Sequence, residues 1–385
     1  MKNVYLDNNA TTQVAPEVIE AMMPFFKDFW GNPSSMHAFG GQVKKHVEKA
    51  REQVAALIHA EPSEIVFTSC GTESDNAALR GAMEVAGKRL NIITTRVEHP
   101  AVLAPCRRFA EEDAFVIELG VDSSGQLDLA ELRESLNLGP AIVSIMWANN
   151  ETGVVFPIPE IAAMVKAEGS LMHTDAVQAV GKLPIDVSRM PVDMLALSGH
   201  KLHAPKGVGA LYVRRGTKLK PFIVGGHQEN NRRAGTENVP YIVGLGRSCE
   251  LAAEHMAAEM TRVARLRDKL QAGLLPACPD TRVNGDQKHR LPNTVNISFE
   301  YIEGESILYG LSDLGIAASS GSACTSGSLE PSHVLRAMGV PFTAVHGSVR
   351  FSLSRYTTEG EIDYVVAHMP AIVNRLRAMS PFVTR

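Results

Sequence analysis

The chain has 385 residues, of which 45% are hydrophobic and 21% are charged, so it is long enough for one large globular domain or two. Its formal net charge of −4 gives no indication of a nucleic-acid-binding protein or of an acidic disordered chain. No apolar run reaches the length of a membrane-spanning helix, and the N-terminus lacks the apolar segment of a signal peptide, so we expect a cytoplasmic protein without membrane contacts.

Short apolar runs alternate with amphipathic stretches between Glu64 and Arg214. Several runs are apolar throughout, which is typical of strands in a sheet that is covered on both faces. The amphipathic stretches at 73–85 and 158–169 predict connecting helices. The predicted strands are EIVFTS at 64–69, LNIITTRVEH at 90–99, AIVSIMWANN at 141–150, SLMHTDA at 170–176, VDMLALSGHK at 192–201 and GVGALYVRR at 207–215. This alternation predicts an α/β fold with a mostly parallel sheet flanked by helices.

The C-terminal third has a different pattern. Apolar residues recur at steps of three and four between Met256 and Leu274, which predicts one long helix that connects two domains. Thr358 and Glu361 form a capping box before a second periodic segment, and Pro370 lies inside it, where proline can kink a helix. We expect a smaller α+β domain from about Met260 to the end.

Polar residues follow the predicted strands at the edge where a parallel sheet binds ligands. They are Cys70–Glu73, Glu98 and His99, Asn149–Glu151, Asp175 with Gln178, and Ser198–Lys201. The sequence has no GxGxxG after the first strand and no GxxxxGK[ST], GxSxG or HExxH, which argues against dinucleotide, P-loop, serine hydrolase and zinc protease sites.

Each polar residue has more than one interpretation when it is taken alone. The turn at Gly71 and Thr72 suits a phosphate group, or it only caps a helix. Asp175 suits a protonated ring nitrogen, or it is a helix N-cap. Lys201 is an amine nucleophile or a solvated loop lysine, with Lys206 as a nearby competitor. His99 stacks on a ring, acts in acid–base chemistry, or is structural.

The combination is more informative than its parts. A phosphate-binding turn, a histidine, an aspartate and a lysine follow successive strands, and pyridoxal phosphate requires a phosphate anchor, an acidic partner for its ring nitrogen and an amine for its aldehyde. Arg350 lies in an alternating strand pattern, where it binds a substrate carboxylate or forms an ordinary surface salt bridge.

The five cysteines are far apart and form no CxxC pair, so we expect neither a disulfide framework nor a structural zinc site. Cys249 and Cys278 suit buried positions, and Cys70 is ambiguous. Cys324 lies in the Gly/Ser-rich segment 319–328, which we expect to be a mobile loop with a reactive thiol.

Ten segments of the chain now identify a family. They are YLDNNATT at 5–12, GNPSSMH at 31–37, FTSCGTESDN at 67–76, VEHPAV at 97–102, WANNETG at 147–153, HTDAVQAVGK at 173–182, SGHKLHAPKGVG at 198–209, RRAGTEN at 232–238, SSGSACTSGSLEPSHVLRAMG at 319–339 and VRFSLSRYTTE at 349–359. Over essentially its whole length the chain resembles the cysteine desulfurases of the NifS/IscS type, and it is most similar to their nitrogen-fixation branch.

The resemblance implies the fold type I of pyridoxal-phosphate-dependent transferases. Residues 15–258 would form the large cofactor-binding domain, and residues 1–14 and 259–385 the small domain with the cysteine loop. The catalytic residues would be Cys324, Lys201 and His99. The cofactor-binding residues would be Gly71, Thr72, His99, Asn150, Asp175, Gln178, Ser198, His200, Lys201 and Thr236.

The individual roles also come from the resemblance. Lys201 matches the Schiff-base lysine, and Asp175 matches the partner of the pyridine nitrogen. Gln178 matches the donor to the phenolic oxygen, and His99 matches the residue stacked on the ring. Gly71, Thr72, Ser198 and His200 match phosphate contacts, and Asn150 and Arg350 match ligands of the substrate carboxylate. Thr236 matches a phosphate contact supplied by the other subunit, which implies a homodimer.

The implied reaction converts L-cysteine to L-alanine. Lys201 removes the Cα proton, and the Cys324 thiolate attacks the substrate sulfur and retains it as a persulfide. The sulfur would serve iron–sulfur cluster assembly, including that of nitrogenase, through a scaffold or another sulfur-acceptor protein. Cys324 would also be a transient iron–sulfur ligand shared with the scaffold. The alternatives are a selenocysteine lyase, another aminotransferase-like enzyme that uses the same cofactor, and a catalytically silent sulfur-relay or scaffold protein.

Overall fold

The computed structural model describes residues 3–86, 90–320 and 331–382. Its strands are β1 (Val4–Tyr5), β2 (Ile65–Thr68), β3 (Asn91–Thr95), β4 (Val116–Leu119), β5 (Ala141–Ser144), β6 (Leu171–Asp175), β7 (Met194–Ser198), β8 (Gly209–Val213), β9 (Thr281–Asn284), β10 (Thr294–Phe299), β11 (Ile316–Ala317) and β12 (Ser348–Ser352). Its helices are α1 (Pro16–Met22), α2 (Pro24–Lys27), α3 (Ala38–Leu57), α4 (Gly71–Ala86), α5 (Pro100–Glu111), α6 (Leu129–Leu136), α7 (Ile158–Ala167), the single turn α8 (Gln228–Asn231), α9 (Val239–Ala258), α10 (Ala264–Ala277), α11 (Gly304–Asp313), α12 (His333–Ala337), α13 (Phe342–Val345) and α14 (Glu359–Met379).

The central sheet has the strand order β2-β8-β7-β6-β5-β3-β4 in the described part of the chain. Every neighbouring pair is parallel except the two pairs of β8, which runs antiparallel to β2 and β7. The predicted mostly parallel sheet is therefore confirmed, as are all six predicted strands. Strand β4 was not predicted, because it lies at the sheet edge and three of its four residues are only half-buried.

Both faces of this sheet are covered, as the apolar strands predicted. In β3, Ile92 packs with the side chains of α4 and α5, whereas Ile93 packs on the opposite face with those of α3, α7 and α9. This alternation follows from strand geometry, because consecutive side chains point to opposite faces. Both isoleucines are fully buried, and each therefore contributes the free energy of removing a large apolar side chain from water.

A separate apolar cluster surrounds the antiparallel sheet β12-β10-β9 and the parallel pair β1-β11. Val4 and Leu6 from the N-terminus pack there with residues of α10, α11 and α14. Residues 334–345 instead pack in the cluster on the α3 face of the central sheet. The division into a large domain at 15–258 and a small domain at 1–14 and 259–385 stays a prediction.

Both predicted C-terminal helices are present. Helices α9 and α10 join through a π-helical turn at Glu259–Val263, so the backbone is helical from Val239 to Ala277. Thr358 caps α14, and its Oγ1 accepts a hydrogen bond from the Glu361 backbone N–H at 3.3 Å. Helix α14 continues past Pro370. In the three described ranges we find no helix with both the length and the apolar character that crossing a membrane requires.

Leu270 tests the importance of the second cluster. It is fully buried on α10, so we expect Leu270→Ala to lower the free energy of unfolding by about 2–5 kcal/mol through lost apolar burial and a residual cavity. Arg265→Ala on the exposed face of the same helix is the control, with an expected change within about 0.5 kcal/mol. Urea denaturation measures both, and equal stabilities would contradict the packing described here.

Candidate active site

A cavity of about 230 Å³ opens at the carboxyl ends of the central strands and the N-terminus of α4. Such an edge is where open α/β sheets bind ligands. The predicted site residues that line it are Gly71, Thr72, His99, Asn150, Asp175, Gln178, Ser198, His200, Lys201 and Arg350. Thr236 is exposed and does not line the cavity of its own chain. Cys324 lies outside the described residues, as does most of the predicted loop at 319–328.

Lys201 ends a short 3-10 turn directly after β7. Its Nζ donates hydrogen bonds to the backbone carbonyls of Asn9, at 2.5 Å, and Ala10, at 2.7 Å. These carbonyls belong to the N-terminal segment, of which Asn9 and Ala10 line the cavity. Lys206, the competing lysine, is exposed and does not line the cavity. The geometry therefore gives Lys201, and not Lys206, access to a bound ligand.

Asp175 ends β6 and is buried. Burial raises the pKa of its carboxyl group, whereas His99 and Lys201 act in the opposite direction by favouring the carboxylate. One oxygen, Oδ1, accepts the Val177 backbone N–H at 2.9 Å. The alternative of a helix N-cap is wrong, because the residues after Asp175 form turns rather than a helix. The same carboxylate closes such a turn and lines the cavity.

The two histidines of the cavity are both held in the neutral form. His99 caps α5, and its Nδ1 accepts the Ala101 backbone N–H at 3.1 Å, which leaves the proton on Nε2. Burial lowers the pKa of His99. Burial, reinforced by the charge of Lys201, lowers the pKa of His200 to about 3. A neutral ring with one N–H suits stacking and hydrogen bonding better than charge pairing.

The phosphate-binding interpretation of Gly71 agrees with the space around it. A Cβ at this position would lie 2.7 Å from Cγ2 of Val177, so only glycine fits at the start of α4. Helix α4 has 16 residues, and the N-terminus of such a helix attracts anions. Nearby, the buried Oγ of Ser198 has no hydrogen-bond partner among the described residues. A phosphate group would satisfy this hydroxyl, so the donors present fit pyridoxal phosphate.

Arg350 is almost fully buried in β12, where all five residues are buried. Its Nη2 pairs with Oδ1 of Asp7 at 2.7 Å, and its Nη1 donates to the Asn150 backbone carbonyl at 3.0 Å. Arg350 does form a salt bridge, but the predicted alternative of a surface salt bridge is wrong, because the arginine is buried and the ion pair lies at the cavity. The Arg350 Nε has no hydrogen-bond partner in the described chain.

Sequence reasoning missed several lining residues. Asn9 and Ala10 belong to the YLDNNATT segment, but no local pattern indicated that their carbonyls face Lys201. Cys70, which was ambiguous, is half-buried and lines the cavity. Asp75 also lines it, fully buried, with its Oδ1 3.4 Å from Nε2 of His173. The remaining ones are Met146, Ala148 and Val177.

Two buried carboxyl groups, Asp75 and Glu98, accompany Asp175 near the cavity. Burial raises the pKa of Asp75 well above its ordinary value, and the neighbouring Asp175 adds to this shift. Burial also raises the pKa of Glu98 to about 8, against hydrogen bonds from the Met146 backbone and Thr95 that favour the carboxylate. The upward pKa shifts of Asp75 and Glu98 favour their neutral forms, which reduces the repulsion among the acidic groups here.

The raised pKa of Glu98 can be tested through the pH dependence of the free energy of unfolding. Its folded-state pKa of about 8 exceeds the ordinary 4.5, so its stabilising contribution is complete below about pH 4.5 and is lost as the pH rises through about 8. Glu98→Gln cannot ionise, and we expect its free energy of unfolding relative to wild type to rise by roughly 1–4 kcal/mol over that interval.

Urea denaturation at several pH values measures this difference. The exposed Glu111→Gln, on α5, is the control, for which the difference should stay constant with pH. A constant difference for Glu98→Gln as well would mean that Glu98 is already ionised in the folded protein.

Comparison with known proteins agrees with this geometry. The family model "Aminotransferase class-V" matches residues 4–365. A cysteine desulfurase of Nostoc sp. is 61% identical over 99% of this chain and 96% of its own length. The cysteine desulfurase NifS of Azotobacter vinelandii is 58% identical over 99% of this chain and 95% of its own. A solved NifS-like protein is 40% identical, with a TM-score of 0.92 over 97% of this chain and 100% of its own. The chain therefore belongs to the class-V aminotransferase family and, within it, to the cysteine desulfurases of the NifS type.

Proposed function

We propose that this protein converts L-cysteine to L-alanine with bound pyridoxal phosphate, passes the sulfur to Cys324, and supplies it for iron–sulfur cluster assembly. One observation carries the proposal. An amine, a carboxylate and an anion-binding helix N-terminus, from Lys201, Asp175 and α4, line one cavity in a chain that is 61% identical to a cysteine desulfurase. This is the donor set that the cofactor requires.

The cofactor would be held by groups already directed into the cavity. Gly71, Thr72, Ser198 and His200 would bind its phosphate, and the Asp175 carboxylate would keep its ring nitrogen protonated. Gln178 would donate to the phenolic oxygen, and the neutral His99 would stack on the ring. When bound, pyridoxal phosphate supplies an aldehyde for amines and a ring that accepts the electron pair released at a substrate Cα.

The side chains of the chain would then move the proton and hold the substrate. Lys201 Nζ would take the proton from Cα of L-cysteine, because it is the amine that lines the cavity. Arg350 and Asn150 would bind the substrate carboxylate. Arg350 is suited to this role because its guanidinium is buried and fixed by Asp7 and by the Asn150 carbonyl.

The sulfur transfer would use Cys324, whose role rests on the family resemblance. The Cys324 thiolate would attack the substrate sulfur and form an S–S bond. The C–S bond would break, and its electron pair would remain on the substrate carbon, which is protonated and released as L-alanine. Cys324 would keep the persulfide until an acceptor protein takes the sulfur, and it would also be a transient iron–sulfur ligand shared with a scaffold.

A homodimer and a cytoplasmic location belong to the same proposal. Thr236 would complete the phosphate site of the other subunit, and its exposure supports this arrangement. Its segment is fixed to its own subunit by Arg233, whose Nε donates to Oε1 of Glu73 at 2.8 Å. Thr236 lies three residues after this anchored arginine, and its exposed side chain is accessible to a partner subunit.

Replacement of Lys201 tests the amine. We expect Lys201→Ala to lose the covalent link to the cofactor, so that borohydride reduction no longer adds the mass of pyridoxal phosphate to the protein, and to lower kcat by at least about 10³-fold. Lys206→Ala is the matched control and should keep both properties. A reduced adduct that persists in Lys201→Ala and disappears in Lys206→Ala would transfer the role to Lys206.

Replacement of Cys324 tests the reaction type. Wild-type protein with a thiol reductant should release alanine and sulfide from L-cysteine in equal amounts. We expect Cys324→Ala to abolish alanine release and to retain the visible absorbance of the bound cofactor, because the nucleophile is lost and the cofactor contacts remain.

The control for this experiment is Cys70→Ala, which removes the half-buried thiol of the cavity and should keep desulfuration. Normal alanine release by Cys324→Ala would remove the thiol from the mechanism. Release from selenocysteine alone would favour the selenocysteine lyase alternative.

A further inference from the structure

Lys182 is a buried cation that the proposed reaction does not use. It follows the turns after β6, four residues beyond Gln178, and only 7% of its surface is exposed. Within the described residues it forms no ion pair at 4.0 Å or less. Burial lowers its pKa to about 8, although the charge of Glu259 opposes this shift. Burying an ammonium group is unfavourable unless hydrogen bonds replace its contacts with water, so the groups that Lys182 binds are of interest.

The Lys182 ammonium binds Gln178 at two points. Its Nζ donates to the Gln178 backbone carbonyl and to the side-chain Oε1, each at 3.1 Å. At its other end the Gln178 amide donates from Nε2 to the Asn9 carbonyl at 3.0 Å. Gln178 lines the cavity, whereas Lys182 lies behind it.

These contacts determine which way the Gln178 amide faces. An ammonium has donors only, so the amide atom next to Lys182 must be the oxygen, and the NH₂ group must face the Asn9 side. A reversed amide would bring its NH₂ against the ammonium and its oxygen against the Asn9 carbonyl. The Lys182 contact is charge-assisted, which makes it the stronger of the two constraints on the amide.

Lys182 also has an acidic neighbour, Glu259. It lines a narrow cavity of about 20 Å³ together with Glu259, which lies at the π-helical turn between α9 and α10. Burial raises the pKa of Glu259, and the charges of Lys182 and Arg355 oppose this. The charges of Lys182 and Glu259 therefore favour each other, although the described residues show no ion pair between them at 4.0 Å or less.

We propose that Lys182 is a positioning residue whose Nζ binds Oε1 of Gln178 and thereby fixes Gln178 Nε2 as the hydrogen-bond donor toward the cofactor. This inference rests on the proposed function only in that pyridoxal phosphate occupies the cavity. Lys182 itself touches neither substrate nor cofactor, and its effect passes through Gln178.

The test compares Lys182→Met, alone and in a Gln178→Ala background, in the full-length protein loaded with pyridoxal phosphate. The readouts are the absorbance maximum of the bound cofactor, the pH midpoint of its spectral change, and the dissociation constant of the cofactor from the apoprotein. We expect Lys182→Met to shift the spectrum in the same direction as Gln178→Ala and to weaken cofactor binding about 3- to 30-fold. In the Gln178→Ala background, Lys182→Met should change none of the three readouts further.

Two controls separate this effect from a general loss of structure. Lys166→Met removes an exposed lysine of α7 and should leave the spectrum unchanged. Gln178→Glu keeps an oxygen for Lys182 but removes the NH₂ group that donates to the Asn9 carbonyl. It should reproduce the spectral shift without a change at Lys182, and it serves as the test if Lys182→Met does not fold.

Several outcomes would overturn the inference. They are a wild-type spectrum for Lys182→Met, a wild-type spectrum for Gln178→Glu, or an additional shift when Lys182→Met is combined with Gln178→Ala. These results differ from failure of the proposed function, which would appear as wild-type protein that binds no pyridoxal phosphate or releases no alanine from L-cysteine.

Discussion

The backbone carbonyl of Asn9 is the acceptor on which the arrangement of the cavity depends. It receives hydrogen bonds from Lys201 Nζ at 2.5 Å and from Gln178 Nε2 at 3.0 Å. The Asn9 side chain donates to Thr294 Oγ1 at 2.9 Å and to the Asn150 carbonyl at 3.1 Å. One residue of the N-terminal segment thus connects β10 with the loops after β5, β6 and β7, and the core that holds Val4 and Leu6 determines where it lies.

Most of the titratable groups around the cavity have pKa shifts that favour their neutral forms, which limits repulsion between like charges. Burial raises the pKa of Asp75 and Glu98 and lowers that of His200, and each shift favours the neutral form of the group. Burial also raises the pKa of Asp175, but here the neighbouring His99 and Lys201 act against the shift. In the proposed function this opposing effect is useful, because it favours the carboxylate form of the one group that a ring nitrogen needs as its partner.

The sequence allowed prediction of those site residues that follow an apolar strand directly, because a strand and the loop after it are local features. Asp175 and Lys201 are examples, and both line the cavity. The partners of these residues could not be predicted in this way. Asn9 is 192 positions from Lys201, and Asp7 is 343 positions from Arg350, so only the folded chain brings them together.

The differences between the predicted and observed strands and turns also have identifiable physical causes. The predicted strand at 90–99 is too long, because its polar end belongs to the loop that forms the site rather than to β3, which ends at Thr95. Strand β4 was missed because an edge strand with half-buried residues lacks a strong apolar pattern. Asp175 closes a turn where a helix was an alternative, since a carboxylate accepts a backbone N–H equally well in both settings. For Arg350 the sequence left a surface salt bridge open, because the alternating pattern of β12 did not reveal that every residue of that strand is buried.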